Sequence, residues 1–135
     1  MSEAMSPSAL EEALRAIGAR RYHNLHPLHR LMFEGRCTKA QLQAWALNRY
    51  HYQATIPVKD AAILARMDDP ALRREWRRRL IDHDGEREGE GGLARWLKLA
   101  EGLGLERQLV LSRRAILPRA RPASGAFQPP RLSAT

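Results

Sequence analysis

No stretch of this chain sustains the apolar–polar alternation of a half-buried strand, and one segment, KAQLQAWALNRYHYQATIPVKDAAILARM at 39–67, is long. A pattern of that length on a helical period points to an all-α class. Thr38 followed by Gln41 matches a capping box at its start. Pro57 lies inside the segment, cannot donate to the Gln53 carbonyl, and predicts a kink.

The other segments are helical too, separated by proline and glycine. Ser6-Pro7 opens the first, and Leu10, Ala13, Leu14 and Ile17 repeat at helical spacing until Gly18 weakens its end. Pro27 starts PLHRLMFEG, with Leu28, Leu31 and Met32 on one side and Gly35 as the stop. Asp69-Pro70 reads as a cap plus a first-turn proline. The helix it opens should turn Leu72, Trp76, Leu80 and Ile81 inward and end at Gly85. EREGEGG reads as a loop, and LARWLKLAEGLGL as an amphipathic helix packing through Leu93, Trp96, Leu97 and Ala100. From Pro118 the sequence PRARPASGAFQPPRLSAT loses this periodicity, so the expected division is a helical domain over 1–117 and a disordered tail over 118–135.

A length of 135 residues suits one domain, and the net charge of +8 favours an anionic partner. A single cysteine, Cys37, excludes an intrachain disulfide and suits a reducing compartment. MSEAMSPSALEEAL has no basic region leading into an apolar run, and no apolar run approaches a membrane span, so a cytoplasmic setting is expected.

Arg49, Tyr52, Gln53, Ile56 and Lys59 share one stripe of the long segment, and no acidic residue lies between Glu34 and Asp60. A solvated face would ordinarily mix acids with bases. A run of Arg, Tyr, Gln and Lys suits an anionic, hydrogen-bonding ligand, since arginine offers carboxylates a planar fork and lysine a point charge.

Asp82-His83-Asp84 has the composition of a metal site, but consecutive helical residues point about 100° apart and do not converge on one ion. Arg79 and His83, one turn apart, share a face. His83 is then a candidate to take or relay a proton as a neutral imidazole, or simply a histidine beside helix-end carbonyls. His23, His26 and His29 are spaced by three, but Pro27 argues against one continuous helix through them, so no metal is expected. Tyr22-His23 is expected on a loop or helix end facing inward. GEREGEGG lacks the Gly-Lys-Ser/Thr ending of a phosphate loop.

The runs YHNLHPLHRLMFEGRCTKAQLQAWALNRYHYQATIPVKDAAILARM and RRLIDHDGEREGEGGLARWLKLAEGLGL closely resemble the pyrroloquinoline-quinone (PQQ) synthase family over roughly 8–117. NRYHYQATIPVKDAAI and IDHDG are the most specific parts. The resemblance implies a helical bundle like haem oxygenase and the thiaminase-2 proteins, assembled as a homodimer. It also implies closure of a ring in a tricarboxylate quinone precursor and oxidation to PQQ. Molecular oxygen would be the co-substrate and hydrogen peroxide a product, with no metal or organic redox cofactor. The family's pocket falls on Tyr22, His23, Arg49, Tyr52, Gln53, Lys59, Arg79 and His83. Arg49, Lys59 and Arg79 would bind carboxylates, with Tyr22, Tyr52 and Gln53 alongside. His83, then His23, would move protons beside Arg79.

His51 stands where the family usually has an aromatic residue. The resemblance is expected to fade after AILP, where the family continues into later helices, and an interrupted reading frame is the expected cause. A pocket missing one wall admits water, so this chain is expected to be poorly stable and inactive. Three other readings compete. A thiaminase-2-like hydrolase would need a catalytic cysteine in later helices. A quinone-binding module would bind without turnover. A basic helical module for nucleic acid would use Arg73, Arg74, Arg77 and Arg78.

Overall fold

The computed structural model describes residues 5–118, and every regular element among them is helical. The disordered tail expected over 118–135 lies, beyond Pro118, outside the described residues. Two compact units emerge, Met1–Thr38 and Lys39–Thr135.

The first unit holds α1 (Pro7–Arg21), a short 3₁₀ turn (His23–Leu25) and α2 (Pro27–Phe33). Ser6 caps α1 as its sequence position suggests, its side chain accepting from the Ala9 amide at 3.2 Å. The helix runs past Gly18 to Arg21. His26 caps α2, its Nδ1 accepting from the Leu28 amide at 3.1 Å. Leu28, Leu31 and Met32 are half-buried, and Gly35 follows with φ +66°. Leu10, Leu14 and Ile17, the periodic apolar residues of α1, remain largely exposed. Periodicity identifies an apolar face, not what covers it. Leu14→Ser, at a position 59% exposed, is therefore expected to change the unfolding free energy by less than about 0.5 kcal/mol, read from urea titration.

The second unit holds α3 (Lys39–Leu64), α4 (Pro70–Asp84), α5 (Gly91–Gly102) and α6 (Arg107–Ser112). Helix α3 begins directly after Thr38 and continues as α-helix through the buried Pro57. Its core side contributes Leu47 and Tyr50, which pack with Leu97, Ala100 and Val110. Ala46 and Ala100 are fully buried, small side chains that suit close packing in this interior. The Trp96 indole of α5 donates to the Ala46 carbonyl of α3 at 3.1 Å, and Gln43 donates to the Leu103 carbonyl at 2.8 Å. Asn48 of α3 accepts the Leu117 amide at 2.8 Å, which ties the end of the described chain back to the core.

Helix α4 starts as expected, with Asp69 Oδ1 accepting from the Ala71 amide at 2.7 Å, and ends at Gly85 with φ +80°. Trp76, Leu80 and Ile81 are half-buried. Leu72 is not turned inward but exposed: it lies in the first turn of α4, where no side of it is buried.

Candidate anion-binding site

The site is built on α3 and α4. Among the stripe residues of α3, Arg49, Gln53 and Ile56 are half-buried, and Tyr52 and Lys59 are exposed. Arg49 and Tyr52 engage each other, the guanidinium lying 4.7 Å from the ring centroid. That contact stiffens the arginine while leaving its donors beside a phenol, which suits a planar acidic ligand.

Asp60 is the residue that sequence reasoning passed over. It is 0% exposed, on the rim between the polar stripe and the stripe of Ala46, Tyr50 and Pro57. Its Oδ2 accepts from Arg79 Nε of α4 at 3.0 Å. The Arg79 side chain stays 46% exposed, and its guanidinium also lies 5.2 Å from the Trp76 ring centroid. A signal was present: Ala46, Tyr50, Pro57 and Asp60 fall within about 80° of one another on a helical wheel, so an acid was heading for the core side of α3. Its partner on another helix had no signal in local spacing.

Arg79 and His83 are linked, but through the backbone rather than through the guanidinium. His83 Nδ1 lies 2.8 Å from the Arg79 carbonyl oxygen. A carbonyl accepts only, so Nδ1 carries a proton, and whenever the ring is neutral its lone pair lies at Nε2. Half-buried His83 therefore offers one defined basic nitrogen.

The glycine-acid loop after α4 holds His83's end of the helix in place. Gly91 has φ +81°, and a Cβ there would lie 2.6 Å from the His83 carbonyl oxygen. A Cβ on Gly85, with φ +80°, would lie 2.7 Å from the Glu90 carbonyl carbon. The loop folds back on the helix end so tightly that only glycine fits.

Tyr22 and His23 belong to the first unit, where both are exposed rather than turned inward. Tyr22 is the C-cap residue of α1 and is 57% exposed. Their ring centroids are 4.4 Å apart, and His23 meets His29 edge-on at 5.2 Å. His26 stands apart from that ladder, because its Nδ1 lone pair serves the α2 cap. Among the described residues, no three His, Cys, Asp or Glu side chains are grouped to hold a metal ion.

Arg73 donates from Nη1 to the Met67 and Asp68 carbonyls, each at 2.8 Å, and so closes the turn after α3. Arg78 pairs with Glu75 at 3.5 Å. Two of the four arginines suggested for nucleic acid thus have local partners. A groove of about 770 Å³ also runs along α3, α4 and α5, lined by Tyr50, Pro57, Val58, Leu80 and Leu93 among others. None of the eight candidate residues lines it. No helix among the described residues is long and apolar enough to cross a membrane.

Comparison with known proteins adds a sequence relationship to this geometry. The TENA/THI-4/PQQC family model matches residues 11–128, continuing past the point where the resemblance is expected to fade. A pyrroloquinoline-quinone synthase of Granulibacter bethesdensis is 63% identical over 123 residues, which cover 91% of this chain and 48% of that protein. A pyrroloquinoline-quinone synthase of Acidiphilium cryptum is 61% identical over 127 residues, 94% of this chain and 52% of that protein. The bifunctional coenzyme PQQ synthesis protein C/D of Methylorubrum extorquens is 61% identical over 123 residues, 33% of its own length. The chain spans about half the length of the synthases it matches.

Proposed function

Because this chain belongs to the TENA/THI-4/PQQC family, whose fold is the haem oxygenase-like helical bundle, we propose that it acts in the formation of pyrroloquinoline quinone. It binds a tricarboxylate quinone precursor, promotes ring closure and passes electrons from the closed ring to molecular oxygen. Each two-electron oxidation delivers two electrons and two protons to one O₂, which leaves as hydrogen peroxide. The quinonoid ring is itself the redox-active group, so the reading requires no resident metal or organic cofactor. The enzyme works in the cytoplasm as a homodimer.

The observation that carries this reading is the 63% identity to a PQQ synthase across 91% of the chain. The site is in keeping with it. Arg49, Lys59 and Arg79 supply three cations for three carboxylates, with Tyr52 and Gln53 between the two on α3. His83 Nε2 takes a proton from the substrate as it is oxidised, because Nδ1 is committed to the Arg79 carbonyl.

The test is anaerobic mixing with the precursor, followed by oxygen, with the quinone's absorbance and peroxide recorded. A saturable anaerobic change followed by peroxide equal to the oxygen consumed is the expected result. It would also remove the expectation that this chain is inactive. An anaerobic change with no oxygen uptake would replace the synthase with a quinone-binding module. No anaerobic change at all would overturn both.

A further inference from the structure

We infer that Asp60 is a positioning residue for ligand recognition: from inside the protein it holds Arg79 by Nε, so that the two Nη groups face outward as a preset fork for a carboxylate. The inference rests on the proposed function for the identity of the ligand. Four observations place the device. Asp60 is 0% exposed, so this carboxyl group meets no solvent and recruits nothing itself. Arg79 Nε, the donor on the near side of the guanidinium, makes the contact at 3.0 Å. Arg79 stays 46% exposed, and neither Nη makes a hydrogen bond or ion pair with a described residue. The Trp76 ring at 5.2 Å supports the guanidinium from the side.

A free arginine side chain loses several rotamers on binding an anion, and one already fixed in plane loses fewer. Binding Nε from behind fixes that plane and leaves the Nη edge open for two parallel hydrogen bonds. Buried polar atoms are ordinarily paired, yet Asp60 Oδ1 and Trp76 Nε1, on the two residues that touch Arg79, have no hydrogen-bond partner. Unpaired buried groups weaken a fold. That two of them lie on the residues touching one half-exposed arginine suits a place shaped for recognition.

The experiment is titration of the full chain with PQQ, followed by fluorescence quenching, for the unmodified protein, Asp60→Asn, Arg79→Lys and the double variant. Asp60→Asn keeps the shape of the buried group and weakens its hold on Arg79. Arg79→Lys keeps a charge and loses the fork. Each is expected to weaken binding roughly tenfold, and the pair together no more than about threefold beyond either alone, because both act through one guanidinium. Multiplicative losses, or an Asp60→Asn variant that binds as tightly as the unmodified chain, would overturn the inference and leave the proposed function standing. Absence of PQQ binding by the unmodified chain would overturn the proposed function, and this inference with it. Should Asp60→Asn fail to fold, the ¹⁵N resonance of Arg79 Nε in the unmodified chain decides. It should stay put while the Nη signals move on adding PQQ. Movement of Nε to the position of a free arginine would show that Arg79 releases Asp60 to bind, which is the opposite of the inference.

Discussion

Arg79→Ala should destabilise the second unit by about 3 kcal/mol, far more than an ordinary surface substitution does. The reason is what it leaves behind. Asp60 is fully buried, and its single hydrogen bond among the described residues comes from Arg79. Removing one partner of a buried pair strands the other in low dielectric, typically at about 3–5 kcal/mol; the half-exposure of Arg79 lets water relieve some of that, so the lower end applies. Urea titration of both proteins measures it. Adding Asp60→Ala to Arg79→Ala should recover part of the loss, because the stranded group is then gone. A loss below about 0.5 kcal/mol for Arg79→Ala would mean that the pair carries no net stability.

Gly91→Ala should have an effect of similar size, about 3 kcal/mol, for a steric reason. At φ +81° an L side chain is strained, and here the added Cβ would press on the backbone of Asp84 and His83. Gly89 is the internal control. Its φ is +84°, but a Cβ there meets nothing within 4 Å, so Gly89→Ala should cost only the backbone term of about 1 kcal/mol. Paired thermal melts compare the two. Equal losses would mean that the loop does not pack on the end of α4 as described. Because Gly91 abuts the His83 carbonyl, its variant should also disturb the His83 ring resonances, whereas Gly89→Ala should not.

Helix boundaries were the most readable part of this chain, because caps are local chemistry. Ser6, Asp69, Pro27 and Gly85 each sit where their residue type suggests, with hydrogen bonds at the two side-chain caps. Burial was less readable. The faces of Leu97 and Ala100 find partners, whereas those of Leu14 and Leu72 do not, and spacing alone is the same for all four. The site was half visible. Arg49 with Tyr52, three residues apart on one helix, is a local contact. Asp60 with Arg79 is nineteen residues apart on two helices and needed the fold. His26 illustrates the opposite risk: a histidine spaced like a metal ligand turns out to cap a helix.

On the proposed function, the basic residues of α3 and α4 bind a tricarboxylate quinone. Titration with PQQ at two salt concentrations, for the unmodified chain, Arg49→Ala and Lys59→Ala, tests it most directly, with a DNA duplex as the competing anion. Each substitution is expected to weaken PQQ binding roughly tenfold and to leave any DNA binding nearly unchanged. PQQ affinity unaffected by both substitutions would contradict the account.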